Sequence, residues 1–357
     1  MPLPRQSFCC IFLVSETVPD RVLVVNAGST SLKLTLVAAD DSSEAIETME
    51  DAPADVAAVA HRVVHGGERF RESVLIDDAV QLQLTVLAEL APLHNGPAVA
   101  AIAAARTAFP DLPQVAVFDT AFHATMPAAA STYAVPRRWR EEWDIRRYGF
   151  HGLSVQWAAE AVAVPRLVVC HLGGGCSVTA VLDGRSVETT MGFSPLEGVP
   201  MATRSGSIDA AVVLHLLRSR KLTLDELGGA LERQSGLLGL SGVSARLEDL
   251  ERSEEPAARL AIDVFTHRVA SAIGAMAVAL DGLDAIVFTA GMGENSAFLR
   301  ARICSRLGFL GVELDPAANE HPAPDAEIAA AGSRVRVVVL QAREDVVAAR
   351  AARRLLS

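Results

Sequence analysis

A chain of 357 residues, half of them apolar and only 5% aromatic, is long enough for two domains whose cores are built mainly from alanine, valine and leucine. Its formal net charge of −11 excludes nucleic acid as a default partner, because a phosphate backbone is gripped by a net basic face. The five cysteines, Cys9, Cys10, Cys170, Cys176 and Cys304, are an odd number without metal-site spacing, which points to a reduced, cytoplasmic protein; no uninterrupted apolar run reaches the ~20 residues of a membrane span.

Residues 1–20 read as an extension ahead of the first strand, since a signal peptide would have a clearer apolar region and small residues at a cleavage site. The stretch "VLVVNAGSTSLKLTLV", residues 22–37, predicts two strands around a loop more polar than chain reversal requires, as if the turn held an anion. Arg62 falls at the end of a predicted strand in "HRVVHGGERF". A helix is expected over about 97–109. Asp119 then follows the apolar run 115–118, where strand ends open into α/β clefts.

"RRYGFHGLS" sets Phe150 and His151 beside glycines, ahead of a helix over 155–163. Residues 166–187, "RLVVCHLGGGCSVTAVLDGRSV", repeat the strand–loop–strand order of the first unit, which implies two related halves. The Gly/Pro-rich run "MGFSPLEGVPMATRSGSID" carries Pro195 and Arg204. Helices are predicted over 208–220 and 256–280, the second apolar on most faces and therefore buried. A strand from Ala285 leads through Gly291 and Gly293 to a helix starting near Asn295, where backbone N–H groups can face a ligand. A last strand over 334–340 precedes a helix starting near Glu344. Strand–helix alternation mixed with hairpins predicts α/β layers with partly antiparallel sheets.

Three glycine-rich loops, two of them repeating one unit, could hold a polyphosphate by its backbone, the pattern of a nucleotide-dependent phosphotransferase. Singly, each polar residue has an ordinary explanation: Arg62 as a surface charge, Asp119 as a turn residue, His151 as a packing histidine. Only two of the 32 basic residues are lysine, so arginine by itself signals little. Together these residues supply two guanidinia, a carboxylate and an imidazole. Phosphoryl transfer needs positioning and charge stabilisation more than covalent help, and the planar arginine fork suits both. An acceptor carboxylate with a pKa of about 4–5 is already ionised near neutral pH and needs no general base. That agrees with the lack of any Ser–His–Asp or paired-carboxylate arrangement.

"NAGSTSLK", "HRVVHGGE", "ELAPLHNGP", "FDTAFHATMP", "YGFHGLS", "MGFSPLEG" and "FTAGMGENS" stand in one order across residues 22–350. They closely resemble the acetate kinase family of the sugar kinase/actin/heat-shock ATPase superfamily. The resemblance implies an α/β fold of two ribonuclease-H-like, actin-type ATPase domains of duplicated topology flanking a cleft. It implies domain I at 21–120 plus 341–357, domain II at 121–340, and usually a homodimer that binds neither nucleic acid nor membrane. The implied reaction is direct, in-line and reversible phosphoryl transfer from ATP to acetate, giving acetyl phosphate and ADP, with Mg2+ (or Mn2+).

By motif, the resemblance implies that Asn26 helps position phosphate and metal, that Ser29, Ser31 and Lys33 line the first phosphate loop, and that Glu344 faces the metal. Arg62 and Arg204 would clamp the carboxylate and the transferring phosphoryl. His151 would donate to that phosphoryl, and Asp119 would organise the metal and its waters. Val64, Leu93, Phe150 and Pro195 would enclose the substrate methyl. His171, Gly173, Gly174 and Gly175 would form the second phosphate loop, with Gly291, Met292, Gly293 and Asn295 at the nucleotide end; His94 and His123 would play supporting parts.

The chain departs from the family pattern in four places. Gly174 stands where asparagine is usual, and "SGVSARLE" inverts both charges of the adenosine segment at Arg246 and Glu248. Arg343-Glu344-Asp345 replaces Asn-Glu-Glu, and Leu153 and Val155 replace a threonine and a histidine. A loosened nucleotide end is therefore expected. The alternatives are a propionate or other short-chain carboxylate kinase, or a catalytically impaired nucleotide-binding homologue.

Overall fold

Two three-stranded antiparallel meanders of the same design begin the two halves of the protein, and each is extended into a six-stranded mixed sheet by strands that return in parallel. The computed structural model describes residues 21–28, 32–90 and 92–357, with the backbone alone at 89–90 and 92–94. The first sheet contains β1 (Arg21–Ala27), β2 (Leu32–Val37), β3 (Ser43–Ile46), β4 (Val56–Val63), β5 (Val74–Leu75) and β6 (Gln114–Phe118). Its spatial order is β3-β2-β1-β4-β6-β5, with β1, β4 and β6 parallel. The second contains β7 (Arg166–Leu172), β8 (Cys176–Leu182), β9 (Arg185–Thr189), β10 (Ala285–Thr289), β11 (Ala326–Glu327) and β12 (Arg336–Val339). Read from its opposite end, it runs β9-β8-β7-β10-β12-β11, with β7, β10 and β12 parallel. Strand for strand this is the first sheet again. The duplication expected from the repeated loops is therefore a duplication of topology.

The central strands are apolar on both faces because both faces are covered, as parallel sheets require. In β1, Leu23 and Val25 turn toward Ala101 and Ala105 of the helix Pro92–Ala108. Val22 and Val24 turn the other way, onto Val346, Val347 and Ala349 of the C-terminal helix Glu344–Leu356. In β7, Val168, Cys170 and Leu172 join the main core with Phe265 and Ile273 of the helix Pro256–Ala279. Leu167 and Val169 face Val155 and Ala158 of the helix Gly152–Val162. Each fully buried aliphatic side chain of this kind contributes roughly 1.5–3 kcal/mol. The helices Gly152–Val162 and Glu344–Leu356 also meet each other. Leu153 packs with Val346 and Val347, Arg350 Nη1 lies 2.9 Å from Glu160, and Trp157 lies between the guanidinia of Arg343 and Arg350.

Three expectations need correction. The stretch around Gly291 and Gly293 is not a loop before a helix: a short helix, Ala290–Asn295, follows β10 directly. Glu294 Oε1 accepts the Ala290 N–H at 2.7 Å, closing the first turn at once. The helix expected from about 97 starts at Pro92, after a helix Asp78–Leu90 that was not expected; a proline at the first helical position loses no bond, and Pro97 is accommodated in the second turn. Pro256–Ala279 is buried on one face only, since Leu260 and Val278 remain 55% and 81% exposed. It packs against β8 and against the helices Gly236–Ser241, Leu247–Arg252 and Ala297–Cys304, with its remaining face outward. The extension at 1–20 lies outside the described residues.

Candidate active site

Parallel strands deliver their side chains together at one edge, and here that edge is polar. Asn26 on β1 stands in register with Arg62 on β4, and Asp119 follows the last residue of β6. Arg62 Nε and Nη2 donate to the two carboxylate oxygens of Asp119 at 2.9 and 2.6 Å, a bidentate pair. Its Nη1 donates to Asn26 Oδ1 at 3.2 Å and lies 3.2 Å from Glu344 Oε2, at the start of the C-terminal helix. Burial works against the Arg62 charge, yet Asp119 and Glu344 hold its pKa above the ordinary guanidinium value. Burial pushes the Asp119 carboxyl up and Arg62 pulls it back; with the guanidinium unable to release its proton, the pair stays ionic.

The facing wall belongs to the second half. His151 occupies the left-handed region, φ 59°, as the residue before the helix Gly152–Val162. Gly152 is required next to it, because a Cβ there would stand 1.9 Å from the Asp119 carbonyl oxygen. The His151 ring stacks on that of His171, centroids 3.9 Å apart, and its Nδ1 lies 3.0 Å from Ser177 Oγ. Burial, then the charges of His171, Arg62 and Arg204, keep His151 well below the usual imidazole range. Burial and Arg62 likewise depress His171, to about 4. Both rings are therefore neutral at pH 7.

Arg204 meets the same point. An imagined Cβ on Gly175 would lie 3.2 Å from His151 Nε2 and 3.4 Å from Arg204 Nη1. Unlike Arg62, Arg204 has no carboxylate in ion-pair contact among the described residues; its Nη1 lies 3.5 Å from the Pro195 carbonyl and 3.9 Å from Met201 Sδ. Glu232 supports its charge from beyond ion-pair contact, and a partly buried guanidinium that no carboxylate touches is a place for an anion. Asn26, Lys33, Arg62, His151, His171, Ala342 and Glu344 line one cavity of about 450 Å3 between the two sheets. Gly173, Gly174 and Gly175 make the β7–β8 turn, and a Cβ on Gly173 would touch Ala290 at 3.5 Å. Glu294 bonds the Ala342 N–H at 3.0 Å as well as Ala290, so the helix carrying Gly291, Met292, Gly293 and Asn295 is tied to the cavity's edge. Asn295 itself is turned back on its own helix, donating to the Gly291 carbonyl at 2.8 Å.

Phe150 is buried, and Val64 packs against the same core. Pro195 is buried beside Arg204. Ser29, Ser31 and the side chains of Leu93 and His94 lie outside the described residues. Gly174 has open space where a side chain would stand. Arg246 and Glu248 pair with each other at 3.7 Å on the surface. Motif reading missed several supports. Asn95, fully buried, clasps both backbone groups of His65 at 3.0 and 2.8 Å. Arg147 donates to the carbonyls of Thr189, Thr190 and Met191 and to Glu197, shaping the loop that carries Pro195 and Arg204. Ser154, Ser177 and Ser186 bond the imidazoles of His171, His151 and His123. Isolated serines and an asparagine carry no sequence signal for such roles.

Asn26, Asp119 and Glu344 present oxygen donors, the ligand type of Mg2+, which keeps several waters and takes few protein ligands. No cluster of three or more His, Cys, Asp or Glu suited to a metal occurs among the described residues, in keeping with so sparse a set.

Comparison with known proteins gives one answer. The profile described as the Acetokinase family matches residues 42–350. The chain is 47% identical over 330 residues to an acetate kinase of Gloeobacter violaceus, covering 87% of this chain and 81% of that one. It is 43% identical over 352 residues to an acetate kinase of Oceanobacillus iheyensis, covering 93% and 88%. Among solved structures, Porphyromonas gingivalis acetate kinase aligns with a TM-score of 0.85 at 30% identity, over 95% of this chain and 100% of that one. A propionate kinase from Francisella tularensis aligns with a TM-score of 0.85 at 34% identity, over 93% and 98%.

Buried neutral histidines make the fold sensitive to acid. Burial lowers His61, His123 and His171 to about 4, against about 6.5 in the unfolded chain. Between those values the unfolded state holds more protons, so stability rises with pH; it is fully present above about 6.5 and declines as pH falls toward 4. The urea midpoint should drop between pH 7 and pH 5, less steeply in His61→Gln. A midpoint independent of pH, or an unchanged slope in that variant, contradicts this.

Proposed function

The chain belongs to the acetokinase family, and we propose that it catalyses reversible phosphoryl transfer between ATP and acetate, giving acetyl phosphate and ADP. The observation that carries this reading is that Arg62 and His151, from distant parts of the chain, line one polar cavity, while Arg204 reaches the point above Gly175 that His151 Nε2 faces. Acetate enters already ionised, so no base is required. Arg204 would bind the anion that its guanidinium lacks as a partner. His151, neutral, would donate a hydrogen bond to the phosphoryl, and Arg62 would fix the wall on which Asp119, Asn26 and Glu344 stand. Val64, Leu93, Phe150 and Pro195 would enclose the substrate methyl, and the glycine turn with the helix Ala290–Asn295 would carry the nucleotide phosphates. Asn26, Asp119 and Glu344 would hold Mg2+ (or Mn2+), which supplies charge neutralisation of the phosphates when bound. Two helices, Gly152–Val162 and Glu344–Leu356, begin at the cavity, and their N-termini add positive potential there.

We place domain boundaries at 120/121 and 340/341, with hinges at Thr120 and Leu340, a division that the two separate sheets support. Closure would exclude water, which otherwise hydrolyses an acyl phosphate. One added methylene is worth about 1–3 kcal/mol in an apolar pocket, so acetate is expected ahead of propionate by a modest factor. The protein is placed in the cytoplasm, as a homodimer. Ile208, Leu240 and Val278, each more than a third exposed, flank a groove of about 970 Å3 on the second half, the surface proposed to meet a second copy.

Hydroxamate trapping of the acyl phosphate from acetate, propionate and butyrate with Mg-ATP tests the reaction. Product is expected in that order of yield, and none from any acid refutes the assignment. Arg204→Ala should lower kcat by roughly 100-fold or more with a smaller change in KM; near-normal kcat removes Arg204 from its role. Because Arg246 and Glu248 replace the usual adenosine contacts, GTP or CTP should serve comparably to ATP in initial rates at fixed acetate. Strict ATP preference would refute the loosened nucleotide end. Light scattering on Val278→Asp should show monomer where the parent is a dimer; an unchanged mass rules out that surface.

A further inference from the structure

Three histidines around the cleft share one arrangement that none of the sequence motifs signals: each has Nδ1 against the hydroxyl of a buried serine. His123 reveals how the arrangement works. Its Nε2 lies 2.9 Å from the Phe150 carbonyl, which can only accept, so Nε2 carries the proton. Nδ1 of that neutral ring is therefore an acceptor, and Ser186 Oγ, 2.8 Å away and wholly buried, donates to it.

His151 repeats the pattern. Ser177 Oγ lies 3.0 Å from its Nδ1, is wholly buried, and makes no other side-chain hydrogen bond among the described residues. A proton on Nδ1 would leave the serine's own proton buried without an acceptor. The β7–β8 register places Ser177 directly opposite His171, whose ring stacks on that of His151 and whose Nδ1 is bonded at 2.8 Å by Ser154. His151 Nε2 is left facing the space above Gly175 that Arg204 also reaches.

We propose that Ser177 is a positioning residue whose hydroxyl donates to His151 Nδ1 and holds the ring as the Nε2–H tautomer, so that a neutral imidazole presents an N–H to the transferring phosphoryl. The ring donates a hydrogen bond and no proton changes hands. This rests on the phosphoryl-transfer reading of the cleft. It adds the element that decides which nitrogen of His151 carries the hydrogen, a choice set by the bond the other nitrogen makes.

The test is a two-bond 1H–15N correlation on histidine-labelled protein at pH 7, with the His151 signal identified by its loss in His151→Gln. His151 should show a pyridine-like Nδ1 and a pyrrole-like Nε2. In Ser177→Ala the two tautomers should mix, and kcat for acetate should fall about tenfold with KM for acetate and ATP within about twofold. In a His151→Gln background, whose amide donor needs no serine, Ser177→Ala should change kcat by less than about twofold. A wild-type ring protonated on Nδ1, or charged, overturns the proposal even if Ser177→Ala does not fold. So does Ser177→Ala with unchanged tautomer and kcat, or an equal loss in both backgrounds. The spectrum is independent of turnover, so absence of acyl phosphate in the wild type would refute the functional reading instead.

Discussion

Arg62 joins chain segments that are far apart in sequence, and the geometry of the cavity depends on its ion pair with Asp119. Three polar side chains, from β1, the end of β6 and the C-terminal helix, meet within 3.2 Å of this one guanidinium on β4. Removing one partner of such a buried pair leaves an uncompensated charge, an effect of about 3–5 kcal/mol in comparable cases. The pair therefore specifies where β4 and β6 end relative to each other, and with them the positions of Asn26 and Glu344.

The two arginines are not equivalent. Arg62 is neutralised by the protein, which suits a fixed wall. Arg204 is held among carbonyl and thioether groups on a loop that Arg147 braces from behind, with no carboxylate in contact among the described residues. The difference follows from their elements. Arg62 belongs to a strand in the centre of a sheet, where neighbouring strand ends bring carboxylates to it. Arg204 stands on a Gly/Pro-rich loop beside the glycine turn between β7 and β8, which brings no carboxylate to it.

The neutral histidines complete this division. Burial and the nearby guanidinia keep His151 and His171 uncharged, so the charges of the cleft are fixed guanidinia and carboxylates, and its imidazoles do not titrate near pH 7. His151 begins the helix Gly152–Val162 and Glu344 begins Glu344–Leu356; these helices pack against each other through Leu153, Val346 and Val347. One side chain from each half is thus positioned by the same helix–helix contact, which gives any rearrangement between the halves a direct route to the site.

Much of this was legible in the residues alone. Apolar runs around polar loops marked both hairpins and the duplication, because strand burial and turn polarity are local properties. The motif residues Asn26, Arg62, Asp119, His151 and Glu344 were identified by pattern, and the strand ends on which three of them sit by hydrophobic periodicity. What the chain order could not show was pairing at a distance. Nothing local says that the fork of Arg62 is occupied by Asp119, or that no carboxylate among the described residues contacts Arg204. The same holds for Asn95 clasping His65, and for Ser154, Ser177 and Ser186 each facing an imidazole. A serine in a strand or helix has the same local signature whether its hydroxyl meets water or a buried ring nitrogen. Sequence by itself determined which elements form and which chemical groups they carry. Only tertiary packing, mostly within each half, decided which hydrogen-bonding partners those groups have, because that depends on burial and on contacts between segments tens to hundreds of residues apart.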